Sequence, residues 1–363
     1  MSDLQTPSIS STRLSSIDAF RGLTVAAMLL VNNAGDWSHV YPWLEHADWN
    51  GCTPADFIFP FFLFIVGISL EFALGSKVGN TAAGILWRSA CWRAAKIFLL
   101  GVTLHVIAMI LIPDRSFRLL GVLQRIGICF CVAATILIFV RNTVTICMLV
   151  AFTLLAYWFL LHTTGGYQPG SNIVDRIDTA VLGPLAYQFD PVTFRAHEPE
   201  GLLSTLPAIV NVLLGLIAGR FLRHQRQKTL IFVAVFLLLL GYLWSFWMPW
   251  NKQLWTSSFV CWTSGWAILF TVVLHYLIDQ KHFSPLGLSF GINAISAYAG
   301  AWVATCIIAA TNAMAYLYPQ WLVLPLTNLT SEAFTSFLFA FLFTLSFGGL
   351  MYALRRRGWR FSI

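Results

Sequence analysis

FIFPFFLFIVGISLEFAL, residues 57–74, carries one charged residue, Glu71, in eighteen positions. A helix needs about 20 mostly apolar residues to cross the hydrocarbon core of a bilayer. Taken with the residues just before it, as 54–74, this stretch is such a span. Nine further segments meet the same measure: about 20–36, 88–111, 118–140, 143–162, 201–222, 229–248, 256–278, 287–311 and 332–354. The pattern predicts an all-α fold, a polytopic membrane helix bundle of about 10 transmembrane helices. Composition points the same way. Of 363 residues, 58% are hydrophobic and 10% charged, with 30 Phe and 15 Trp, whereas a soluble globular chain runs at roughly 25% charged. Disorder, coiled coil and a secreted disulfide scaffold are excluded. The seven Cys lie almost all inside apolar runs and only Cys52 sits near a polar loop, so neither a disulfide framework nor a metal-ligand spacing is present.

Residues 1–13 (MSDLQTPSISSTR) read as a polar N-terminal tail, without the basic-then-apolar start of a signal peptide. Residues 14–363 read as a single transmembrane domain. Its one long connection, 163–200, carries Gly165, Gly166, Pro169, Pro184 and Pro191 and is expected to fold as an extracytoplasmic cap. Lys and Arg set the orientation. With the first span starting inside, 16 of the 22 Lys and Arg, Arg13 and Arg21 among them, fall on the inner face, against 4 of the 15 Asp and Glu. Both termini are therefore expected in the cytoplasm. The net charge of +7 is split across a bilayer and is no nucleic-acid footprint. RFLRHQRQK (220–228) and RRRGWR (355–360) need no role beyond topology and contact with anionic lipid.

Polar groups inside or at the mouth of spans are costly and mark candidate sites. Asp18 and Arg21, in SIDAFRG (16–22), stand three apart and share a helix face. They either fix the helix end as a pair or let Arg21 hold an anionic head group arriving from the cytoplasm. Asn32 and Asn33 lie near the other end of that span, Asn32 roughly 16 Å of helix from Arg21. His46, in EHADWNG (45–51), is the best catalytic candidate, because imidazole serves as a general base or as a nucleophilic acyl carrier. Glu45 and Asp48 flank it and either can orient it. The other seven His (39, 105, 162, 197, 224, 275 and 282) lack such surroundings. Gln124 and Arg125 interrupt an apolar stretch and demand a salt-bridge partner or a ligand. NKQLWT (251–256), with Asn251 and Lys252, and FGINAISAY (290–298), with Asn293, add polar insertions of a supporting kind. No HExxH or CxxC suggests a metal and no GxSxG elbow is present.

Together the blocks RLSSIDAFRG, VNN, EHADWNG, TPADFIFPFFLFIVG, GVLQRIG, EPEGLLSTLPAI, NKQLWTSSFV and GINAISAY resemble, in order from about residue 13 onward, the catalytic membrane domain of the heparan-α-glucosaminide N-acetyltransferase family. They equally resemble bacterial NagX-type proteins of amino-sugar metabolism. The large lumenal extension of the animal enzyme is missing, which implies a bacterial inner-membrane form. The resemblance implies a membrane acyltransferase moving an acetyl group from cytoplasmic acetyl-CoA to the amine of a glucosamine-type sugar on the far side. It implies His46 as the catalytic residue, base or acyl carrier, assisted by Asn32, and a homodimeric assembly. A wider superfamily of membrane acyltransferases has Arg, ten residues, then His in its first span; eleven after Arg21 this chain has Asn32. On this reading Arg21, Gln124 and Arg125 are expected to bind CoA. Glu45, Asp48 and Asp56 suit a cationic amino sugar, with Trp49 stacking on its ring and Asn50 beside it. Asp18, Asn251, Lys252 and Asn293 are expected to support the site. The rival reading is a transporter of N-acetylglucosamine or related amino sugars, against which the two halves show no inverted repeat.

Overall fold

Backbone polar groups find no water in a hydrocarbon core, so a chain this apolar satisfies them within helices. The computed structural model describes residues 14–326 and 329–361; the tail 1–13, with Arg13, lies outside the described residues. α1 (Ser15–Val31) leads to a short 3₁₀ turn (Pro54–Phe57) that opens α2 (Ile58–Leu70), extended by a π turn to Gly75. α3 (Ala83–Leu111), α4 (Val122–Phe139) and α5 (Thr143–Thr163) follow. The long connection holds α6 (Ile173–Val181) and a small antiparallel hairpin of β1 (Gln188–Asp190) and β2 (Arg195–His197). α7 (Thr205–Arg223), α8 (Gln227–Trp244), α9 (Ser257–Leu274), α10 (Leu288–Ile292), α11 (Ala294–Ala310), α12 (Ala313–Tyr318), α13 (Leu324–Leu326) and α14 (Glu332–Arg356) complete the chain.

Eight of these helical segments are long and apolar enough to cross a membrane. A ninth forms if α11 and the helical stretch to Leu326, bent by 83° at residues 311–312, count as one broken span. α1 has 17 residues, about 26 Å of helix. It stops at Val31, short of the expected 36, where Asn33 turns its side-chain amide onto the Leu29 carbonyl at 2.7 Å and accepts from Thr305 of α11 at 2.7 Å. The bundle has two polar ends. One carries the starts of α1 and α3 and the ends of α2, α4 and α7. The other carries the 32–53 loop, the 163–204 connection and the 245–256 turn.

α7 is the central pillar, buried at every position from Pro207 to Gly219. α5, α8 and α14 expose most of their apolar side chains, as lipid-facing helices should. α2 and α7 approach backbone to backbone because small residues face each other: a Cβ on Gly67 would lie 1.9 Å from the Val212 carbonyl oxygen, and one on Gly215 would lie 1.9 Å from that of Phe64. Lipid offers no hydrophobic drive between helices, so such close packing carries the association.

The 163–200 connection is a folded cap, with α6 seated over Tyr157, Leu161, Met248 and Leu254. Asn172 caps α6 by accepting from the Asp175 amide at 2.8 Å. Arg118 donates to both Glu198 and Glu200 and lies 4.6 Å over the Tyr187 ring. Asp178 is fully buried; its Oδ1 accepts from the Leu202 amide at 3.0 Å, while Oδ2 has no partner. Burial pushes its carboxyl up to about 6.

Two stability tests follow from this packing. Gly215→Val meets backbone that cannot yield, and should cost about 1–3 kcal/mol or more, read as a lower thermal midpoint in detergent. Gly84→Ala, with open space around it, should leave that midpoint nearly unchanged; equal effects would refute the close-approach account. Asp178 binds its proton in the folded protein to about pH 6 but in the unfolded chain only to about 4. Its stabilising contribution is therefore present below about pH 4 and lost as pH rises through 6. Asp178→Asn should remove that slope and raise the midpoint at pH 8; an unchanged pH dependence would contradict it.

Candidate active site

The sequence T-P-A-D (53–56) builds the centre of the site. Thr53 is the N-cap of the turn that opens α2, Pro54 fits its first position, and Asp56 reaches back as the third residue of a capping box. Asp56 Oδ2 accepts from the Thr53 amide at 3.0 Å, the Thr53 hydroxyl at 3.1 Å and the Ala47 amide at 3.1 Å. The carboxylate has no solvent exposure. Its other oxygen, Oδ1, accepts from His46 Nδ1 at 2.8 Å. That bond leaves the outward Nε2 with the lone pair needed for proton or acyl transfer. The His46 side chain is 40% exposed, so the working nitrogen stays accessible.

The orienting acid is thus Asp56, ten residues on, rather than Glu45 or Asp48. Glu45 and Asp48 are exposed, and Glu45 contributes only its backbone carbonyl, which accepts from the Thr53 hydroxyl at 2.6 Å. A loop residue's immediate neighbours project away from it, whereas the helix opening places Asp56 across the turn.

Lys252 closes the other side. Its Nζ lies 3.0 and 3.1 Å from the two His46 ring nitrogens and 3.5 Å from Asp56 Oδ1. Equal reach to both nitrogens puts the amine against the face of the ring, since an in-plane position would collide with Cε1. Burial pushes the Lys252 ammonium down from its usual range, against the pull of Asp56 and Glu200. Asn251 shapes the turn that delivers it. This fully buried side chain accepts from the Leu254 amide at 2.7 Å and donates to Asn50 Oδ1 at 3.1 Å, while the Gly51 amide donates to the Trp250 carbonyl at 2.7 Å. Trp49 is half-buried, its indole N–H on the Tyr167 carbonyl at 2.7 Å and its ring centroid 5.5 Å from that of His197. Asn32 ends α1 with its side chain exposed, and no hydrogen bond joins it to His46.

A cavity of about 390 Å³ enters from the opposite end of α1 and α2. Arg21, Arg93 and Arg360 line it among mostly apolar walls that include Phe62, Ile97, Leu123 and Phe130. Arg21 is held by Asp18 at 2.9 Å, the Ser69 hydroxyl at 2.7 Å and the Gly291 carbonyl at 3.1 Å. Fully buried Asn293 pins residues 359–361 to this wall, donating to the Trp359 carbonyl at 3.3 Å and accepting from the Phe361 amide at 3.1 Å. Only six residues, about 9 Å of helix, separate Phe62 in the cavity wall from Asp56 at the His46 centre.

Gln124 and Arg125 do not reach this cavity. Leu123 and Ile126 face it, and the intervening pair turn to the other side of α4. Gln124 donates to the Leu119 carbonyl at 3.1 Å. Arg125 donates to Ser204 and the Gly201 carbonyl and stacks over Trp255 at 5.0 Å. Arg93 and Arg360 take the place expected for that pair; in the sequence they are two among many basic residues of one face. Nor is His46 alone in having a carboxylate. His39 pairs with Asp36 at 2.8 Å and with Glu332, His197 with Asp175 at 2.7 Å and His275 with Asp279 at 2.8 Å. This corrects the expectation that the other histidines lack acidic surroundings: the three- and four-residue spacings of the first and last pairs could have shown them, whereas the His197 pair spans 22 residues.

Comparison with known proteins bears on this arrangement. Residues 13–243 match the family model described as heparan-α-glucosaminide N-acetyltransferase, catalytic. The human heparan-α-glucosaminide N-acetyltransferase is 30% identical over 352 residues, covering 79% of this chain and 52% of the relative. The mouse protein of the same name is 29% identical over 354 residues, covering 80% and 53%. The chain spans about half the length of the curated relatives it matches. A match over most of the chain, through the T-P-A-D turn and its histidine loop, makes this protein a member of the heparan-α-glucosaminide N-acetyltransferase catalytic family.

Proposed function

We propose that this integral membrane protein transfers an acetyl group from acetyl-CoA to the amine of a glucosamine-type sugar, with His46 as base or acyl carrier. The observation that carries the reading is an arginine-lined cavity reaching from one end of α2 toward an Asp-held histidine at the other. Three guanidinium groups over an apolar shaft fit a ligand with phosphates at one end and a thin, flexible arm. The names of the relatives supply the reaction class. Nothing in the geometry favours the transporter reading. The donor is expected on the cytoplasmic side, in keeping with the excess of Lys and Arg on that face.

In the transfer the amine loses a proton, the acetyl–sulfur bond breaks, an acetyl–nitrogen bond forms and the thiol is released. His46 Nε2 receives the amine proton, or takes the acetyl group first and passes it on. Asp56 holds the ring in the tautomer that permits either. Asn32, at the end of α1, is the proposed hydrogen-bond donor to the developing oxyanion, an interaction worth about 3 kcal/mol. Glu45 and Asp48, exposed beside His46, attract the cationic sugar.

His46→Ala should abolish acetylation of glucosamine in proteoliposomes while the thermal midpoint is retained; wild-type turnover in that variant would end the proposal. Asp56→Asn should lower kcat about 10²–10⁴-fold by releasing the ring. Arg93→Ala and Arg360→Ala should raise KM for acetyl-CoA with little change in kcat. If they lowered kcat alone, the cavity would not be the donor site.

A further inference from the structure

Of the imidazole–carboxylate pairs at this end of the bundle, those of His46 and His197 are joined by two consecutive residues. Lys252 lies against the ring of His46, while Gln253 Oε1 lies 3.3 Å from Nε2 of His197. His197 Nδ1 donates to Asp175 Oδ1 at 2.7 Å. The second carboxylate oxygen is already taken by the Gly170 amide and the Asn172 side-chain amide, each at 2.7 Å. Asp175 is thus held with one oxygen reserved for His197. Trp49, three residues after His46, closes the same group with its ring against His197.

We propose that His197 is a positioning residue for transfer at His46, acting through Gln253 on the adjacent Lys252. The inference rests on the reading of His46 as the transfer residue. Both nitrogens of His197 face acceptor oxygens, the pattern of an imidazolium, which donates from both. The charged and titratable groups acting on it are Asp175 from α6 and Glu198, next to it in the chain. Burial, the largest single influence, opposes the charge, but the hydrogen bond and charge of Asp175, the Gln253 hydrogen bond and the charge of Glu198 together outweigh it and hold the imidazole above its ordinary value.

While His197 is protonated, its Nε2–H holds the Gln253 carbonyl, which fixes the 252–253 backbone and seats Lys252 against His46. When the proton leaves, Nε2 becomes an acceptor facing an acceptor. Gln253 must turn its amide or move, and Lys252 loses that support. Competent His46 geometry is therefore present below the His197 pKa and is lost as pH rises through it.

The test measures acetyl transfer from acetyl-CoA to glucosamine in proteoliposomes from about pH 5 to 9. The variants are His197→Ala, Gln253→Leu, the double variant and His46→Ala. His197→Ala and Gln253→Leu should each lower kcat about tenfold or more by displacing Lys252, with KM for acetyl-CoA held. The alkaline fall of the wild-type profile should disappear in His197→Ala. The double variant should be no worse than the poorer single, because both break one link. Wild-type kcat and pH profile in both singles, with His46→Ala inactive, would overturn the inference alone, as would losses that multiply in the double variant. Should His197→Ala fail to fold, Gln253→Leu decides the matter by the same two readouts. Activity in His46→Ala would instead remove the reading beneath it.

Discussion

The Asp56 carboxylate is the interaction on which the site depends. Buried without solvent, a carboxylate is tolerated only when its oxygens are saturated, and breaking such an arrangement costs several kcal/mol. Here three donors from the Thr53 turn and the Ala47 amide fill one oxygen, and His46 takes the other. A single group thereby starts α2, folds the histidine loop over its N-terminus and fixes the ring. Lys252 reaches the same oxygen from a turn 196 positions later in the chain, so the second half of the bundle is tied to the first through this one charge.

Around that centre the bundle obeys the demands of lipid. α7 is enclosed by its neighbours and packs on α2 through glycine contacts too tight for any side chain. Several polar groups are satisfied in sets: Arg118 by two glutamates, Asn211 by Ser264 and the Trp255 indole, Glu71 by Arg220 and Arg223. The cavity keeps its arginines at one end, where Asp18, Ser69 and the Gly291 carbonyl orient Arg21, and reaches toward the histidine centre through apolar walls.

Much of this was legible from residue order. Hydropathy marked the helices because a span must be continuous in sequence, but of about ten expected spans eight, or nine with the bent pair, are long and apolar enough among the described residues. α1 ends at Val31, where Asn33 stops the helix, and the expected span 287–311 is divided at Asn293 into α10 and α11. The 163–200 segment read as a cap from its Gly and Pro content, though its α6 and hairpin were not visible. Asn251 and Asn293 stood out as costly polar insertions, and both proved to pin loops by hydrogen bonds.

By itself the sequence determined the membrane class, the order of the helices and the place of the histidine loop before α2, all properties of contiguous residues. That Asp56 caps α2 and holds His46, rather than meeting the sugar, came from the structure. Only the tertiary structure decided which acid orients His46, that Lys252 lies on its ring, that Arg93 and Arg360 rather than Gln124 and Arg125 line the cavity, and that His197 owns Asp175. Helical periodicity alone cannot say which face of α4 meets the shaft. Nor can local composition say which of several charged turns at one end of a bundle will meet. Those choices are made by helix packing, which brings together side chains as far apart as His46 and Lys252.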